Sequence, residues 1–138
     1  MLTLDKSGQF MYRILYLLIV LGLLQACSNI PQYKGFIVDG VSFVNQTNMA
    51  LHDVTVSVKE TGGVVSCGFI PVAGDCAVGF PVRQYHGQAV NVSWKQGGQY
   101  WETGEFIVLP DKLENPSRPA NVRVLLNPQG DFSVQVLQ

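Results

Sequence analysis

The sequence predicts an all-β domain: an antiparallel β-sandwich of about eight strands, immunoglobulin-like or transthyretin-like, with a small β-barrel as the alternative. Three observations predict it. Apolar residues recur at a period of two, as in Val54, Val56 and Val58, in Val90, Val92 and Trp94, and in Phe132, Val134 and Val136; that is the spacing of a strand with one buried face. Glycine-, proline- and asparagine-bearing turn segments separate these runs at short intervals, as in sandwiches and barrels. From residue 35 onward no stretch of ten or more residues carries a capped helical period.

Taken in order, the strands are expected at residues 36–44, around 54–58, and at 64–70, 76–82, 90–94, 100–108, 122–126 and 132–136. The breaks fall at Thr61, Gly62 and Gly63; at Ala73, Gly74 and Asp75; at Gln96, Gly97, Gly98 and Gln99; and at Asn127, Pro128, Gln129 and Gly130. In the last, Pro128 presets φ for a turn and Gly130 can take a positive φ at a bulge, so residues 122–126 and 132–136 are expected to form a hairpin. Residues 109–119 hold three prolines and form the long connection. Two sheets packed face to face would bury the alternating Val, Phe and Trp positions, Trp94 among them.

The N-terminus is of a different character. Residues 14–24 read ILYLLIVLGLL, eleven residues without a charge, with Lys6 and Arg13 on the N-terminal side. A membrane-spanning helix needs about 20 apolar residues, so the run is short for a span and suits the apolar segment of a secretory signal peptide. Met1 and Met11 are both possible starts. Leu24, Gln25, Ala26 and Cys27 follow, and this tetrad resembles the lipobox of bacterial lipoproteins. The resemblance covers residues 11–28. Gln25 departs from the small residues common at its position, whereas Leu24, Ala26 and Cys27 match. It implies cleavage before Cys27, a lipid on the Cys27 thiol and a place in the cell envelope. Ser28 in place of Asp implies, for that class, the outer membrane facing the periplasm. The expected organisation is a signal peptide over 1–26, a lipidated Cys27 with a short tether over 27–34, and a β-sandwich over 35–138.

With Cys27 acylated, Cys67 and Cys76 remain as an even pair, which an oxidising compartment is expected to join. They fall on the neighbouring strands 64–70 and 76–82, so the bridge is expected to pin one hairpin. The tether 28–34 is seven residues long, and reaches at most about 25 Å when extended.

Charge narrows the partners. Of 138 residues 14 % are charged, and the net charge is −1. No basic stripe offers nucleic acid a foothold, and no polybasic patch offers one to anionic lipid headgroups. Catalytic signals are lacking: there is no G-x-S-x-G elbow and no H-E-x-x-H helix, and His52 and Asp53, as neighbours on a strand, should point to opposite faces. His52, His86 and Met49 form a soft donor set but stand at no recognised ligand spacing, so no metal and no cofactor is expected. Asn45-Gln46-Thr47 and Asn91-Val92-Ser93 match the N-glycosylation pattern, which carries little meaning in a bacterial lipoprotein.

Aromatic and amide side chains are the remaining candidates for binding. Tyr85 and His86 fall in the expected turn 84–88. Gln99, Tyr100 and Trp101 follow the glycine-rich turn, and one of two consecutive aromatics on a strand points outward. The sequence therefore predicts a membrane-anchored, non-catalytic protein-interaction or structural module of the envelope. The other reading is a glycan- or peptidoglycan-binding module that uses Tyr100 or Trp101 with neighbouring amides.

Overall fold

The computed structural model describes residues 6–23 and 34–138. The chain divides into two compact units, Met1–Gln32 and Tyr33–Gln138. The first contains helix α1 (Lys6–Leu23). Its side chains from Met11 to Ile19 are exposed. Among the described residues no helix is long and apolar enough to cross a membrane. The lipobox tetrad, Cys27 and all of the tether but Lys34 lie outside the described residues.

The second unit is an eight-stranded β-sandwich: β1 (Phe36–Asn45), β2 (Leu51–Val58), β3 (Gly63–Ile70), β4 (Asp75–Tyr85), β5 (Val90–Gln96), β6 (Gln99–Glu102), β7 (Ala120–Leu126) and β8 (Phe132–Leu137). One sheet runs β4-β1-β7-β8 and the other β3-β2-β5-β6. The barrel alternative fails because each sheet keeps two free edges. Immunoglobulin domains keep their first two strands on one sheet. Here β1 and β2 lie on opposite sheets, which leaves the transthyretin-like form of the expectation. The sandwich is not wholly antiparallel either, since β1 pairs with β7 in parallel, Val41 opposite Val122 and Phe43 opposite Val124. Parallel neighbours need a long crossover, and the intervening chain, which builds β4 and the whole of the second sheet, supplies it.

Alternation fixes the core. Phe36, Val41 and Phe43 from β1, Val122, Val124 and Leu126 from β7, Val54 and Val56 from β2, and Val92 and Trp94 from β5 are all buried. Among the described residues, every buried core residue lies in the second unit, which therefore holds what it needs to fold by itself. The expected hairpin forms, with Leu126 opposite Phe132. Gly130 takes a φ of +75°, and a Cβ there would sit 2.8 Å from the Trp101 ring; the ring occupies the space that a side chain would need.

Two expectations are corrected. Cys67 and Cys76 are joined, S–S 2.03 Å, but β3 and β4 belong to different sheets. The bridge clips sheet to sheet rather than pinning a hairpin. The turn between them carries the chain across the gap, held by Gly74 N–H donating to the Pro71 carbonyl at 2.9 Å. The run 100–108 also breaks: β6 ends at Glu102, Gly104 has a φ of +72°, and only a Val90–Phe106 bridge resumes the pairing.

The strand registers define two ends. At the entry end lie Phe36, the connections 59–62 and 86–89, the long segment 103–119 and the C-terminus. At the far end lie the turns 46–50, 71–74, 97–98 and 127–131. Asn45, 1 % exposed, braces the far end. Its Nδ2 lies 2.8, 3.1 and 3.3 Å from the carbonyls of Met49, Pro71 and Ile70, and its Oδ1 accepts the Thr47 N–H at 3.0 Å. The Asn45-Gln46-Thr47 match is thus a turn brace, its amide consumed inside the protein.

Candidate functional site

The outer face of the β3-β2-β5-β6 sheet carries the most distinctive set of exposed side chains. Register places Phe69 opposite His52, His52 opposite Lys95 and Lys95 opposite Tyr100. All four are exposed, so one line across four strands reads Phe69, His52, Lys95, Tyr100. At a strand spacing of about 4.8 Å, the line is roughly 14 Å long. The next line toward the entry end is Ser66, Thr55, Ser93 and Glu102, short hydroxyls bounded by one carboxylate.

A bulge builds this row. The β2–β5 register shifts between His52 and Thr55, Asp53 adopts a φ of +48°, and His52 and Asp53 are both exposed between buried Leu51 and Val54. The expectation that His52 and Asp53 face opposite ways is overturned for this reason. Asp53 does not orient the imidazole. Its Oδ2 pairs with Lys95 Nζ at 3.1 Å, while the His52 ring lies 5.2 Å from that of Phe69 at 59°. A non-glycine residue in the left-handed region marks local strain that the surrounding ladder must hold. A shallow depression beside the row is lined by Met49, His52, Lys95 and Gly97.

The five residues singled out from sequence do not form one site. Tyr85 and His86 stand at the entry end, whereas Gln99, Tyr100 and Trp101 stand on β6 toward the far end. Tyr85 closes β4 instead of lying in a turn. It is buried, and its hydroxyl donates to the Gln88 carbonyl at 2.6 Å and accepts the Val108 N–H at 3.0 Å. Burial raises its pKa, while the bond from Val108 opposes the rise. The turn is shorter than expected, with the His86 N–H donating to Gln88 Oε1 at 2.8 Å. Trp101 is half-buried against the core, whereas Tyr100 is 64 % exposed; this is the outward-pointing partner that consecutive aromatics require. Gln99 is exposed at the start of β6.

Sequence reasoning missed Phe69 and Lys95 and set His52 aside. The signal was present only in part: Phe69 is a large apolar residue on a short strand, and nothing local aligns it with Tyr100. His52 and His86 lie at opposite ends, and among the described residues no group of three His, Cys, Asp or Glu is placed to hold a metal ion.

No family model and no curated protein matches the chain. Among solved structures, the NMR structure of a protein from Eubacterium rectale resembles it, with 16 % identity and a TM-score of 0.45 over 72 % of this chain and 85 % of that one.

Proposed function

We propose that the chain is an envelope lipoprotein, anchored through lipid on Cys27 at the outer membrane and facing the periplasm, whose sandwich is a non-catalytic protein-interaction module. The partner docks on the row Phe69, His52, Lys95 and Tyr100. One observation carries the reading: four large side chains that could each point elsewhere stand exposed in a single register line. Phe69 and Tyr100 are aromatic side chains of the kind enriched at protein interfaces, and Tyr is among those on which interface energy concentrates. Met49 and Val72, 47 % and 51 % exposed on far-end turns, add apolar surface at the same end. The end from which the chain departs toward Cys27 is the opposite one, so the row stands toward the end away from the tether.

The glycan reading is the weaker of the two. Stacking on Tyr100 would need free amides beside it, and Gln96 Nε2 is already committed to Thr47 Oγ1 at 2.7 Å. Asn91 Nδ2 lies 3.5 Å from Glu102 Oε2.

The test is affinity capture of the acylated protein from detergent-solubilised envelopes, comparing the native chain with Phe69→Ala/Tyr100→Ala and with Gln135→Ala on the other sheet. The reading expects a stoichiometric protein partner that the double variant loses and Gln135→Ala keeps. Capture indifferent to the row would overturn it. Retention on peptidoglycan that depends on Tyr100, without a protein partner, would establish the glycan module instead.

A further inference from the structure

A cavity of about 70 Å³ lies between the two sheets in the entry half of the sandwich. Its base is formed by Val38, Val41, Val56, Val58, Val122 and Val124. Protein cores are packed at crystal density, with few voids larger than a water molecule. This one offers water almost nothing to bond to, because its base is aliphatic. The mouth is of another kind. Thr61, Arg83, Gln84 and Gln88 surround it, from the β2–β3 turn, β4 and the β4–β5 turn. Arg83 is exposed and makes no ion pair among the described residues. Lys59, also at this end, is engaged with Glu105 at 3.0 Å.

We propose that this cavity binds the tail end of a single-chain amphiphile with an anionic head, a fatty acid or its like, with the last carbons between the sheets, the rest of the tail along Phe80 and the head on Arg83. The aliphatic base excludes a polar ligand, and Arg83, the cation among the described residues that line the mouth, selects the sign of the head. Size sets how much enters. An engineered cavity of about 150 Å³ takes a benzene ring, so this space takes the last few carbons, and the rest of the tail runs out over Phe80, which also lines it. Tyr85 contributes only its ring, because its hydroxyl is bonded on both sides. The mouth is at the end by which the chain enters the sandwich. In the anchored protein it would thus lie near a source of such molecules; that siting rests on the proposed anchor, and the binding itself does not.

The unit Tyr33–Gln138, which holds the whole core, is titrated by calorimetry with dodecanoate and, separately, with dodecyltrimethylammonium, both below their micelle concentrations. Saturable one-to-one binding of dodecanoate is expected, with the ammonium about tenfold weaker or more, as loss of a charge-assisted contact implies. Arg83→Glu should invert that order. Val56→Phe, which fills the space, should abolish both; Val58→Leu, a milder filling at a half-buried position, should weaken both with the circular dichroism unchanged. No saturable binding of dodecanoate, equal affinity for the two heads, or binding indifferent to both filling variants would overturn the proposal. Each of these leaves the docking row untouched, since none of the substituted residues belongs to it.

Discussion

The two ends of the sandwich solve the same problem, closing a gap between sheets, by different means. The far end closes it with polar bonds: one buried amide, Asn45, gathers the β1–β2 and β3–β4 turns. The entry end closes it with a long proline-rich segment, in which Phe106 and Val108 face the cavity while Ile107 and Leu109 are exposed. Val90 and Phe106 pair at 2.8 and 2.9 Å, the Val108 N–H donates to the Tyr85 hydroxyl, and Gln138 ties the segment to the C-terminus, its Oε1 accepting the Glu114 and Asn115 N–H groups and its Nε2 donating to the Asn115 and Arg118 carbonyls. The contrast bears on both proposals: the row stands at the end braced by Asn45, and the cavity lies at the end closed by the long segment.

Asn45→Ala tests the contrast most severely. It takes their Asn45 bond from the Ile70 carbonyl and the Thr47 N–H, while the Met49 and Pro71 carbonyls keep other donors in the Thr47 hydroxyl and the Gly74 N–H; each unsatisfied buried group costs about 1–3 kcal/mol. A loss of about 3 kcal/mol is expected by urea denaturation of residues 33–138. A loss under about 1 kcal/mol would mean that water replaces the brace. Next comes Cys67→Ser/Cys76→Ser. The bridge closes a short loop, with a sequence separation of 9, and the chain-entropy relation gives about 2.5 kcal/mol. Because the bridge joins two sheets, its removal should also speed hydrogen exchange on both β3 and β4; loss of protection on one strand alone would contradict the inter-sheet clip.

Tyr85→Phe addresses the entry end. Removing the hydroxyl deletes its bonds to the Gln88 carbonyl and the Val108 N–H, an expected loss of about 1–2 kcal/mol. The pH dependence follows from burial. The folded-state pKa lies above the ordinary tyrosine value, so the folded protein holds the phenolic proton more tightly than the unfolded chain does. The associated stability is fully present below pH 10 and is lost as pH rises from there through the folded pKa. The native protein should therefore lose stability faster than Tyr85→Phe in that range, and parallel curves would refute the burial. The smallest effects belong to the row. Tyr100→Ala and Lys95→Ala should each change stability by less than about 0.5 kcal/mol, because Tyr100 is 64 % exposed and the Lys95–Asp53 pair is 62 % exposed on both sides, where ion pairs contribute little. A large loss would make the row a structural feature instead of a displayed one.

Period-two alternation made the strands legible almost residue by residue, because each strand buries one face, and it placed Trp94 in the core. Alternation assigns faces and not sheets, so it could not reveal that β3 and β4 part company at Pro71 and Gly74. It also failed where a backbone irregularity resets the count, at Asp53 and at Gly104. The site was less legible for a related reason. Tyr100 could be selected as the outward member of an aromatic pair, but its alignment with Lys95, His52 and Phe69 is a property of register across four strands. Register depends on the turns and on the bulge in β2, which no local pattern announces.

The central claim is that the row, and not the opposite face, meets a partner. Replacing Tyr100 with a photo-crosslinking benzophenone amino acid in the full-length protein, with Gln135 on the other sheet as the matched control, tests it most directly. The account predicts one discrete protein adduct from position 100 and none from 135 on illumination of intact cells. Adducts from both positions alike, or none from position 100, would contradict it.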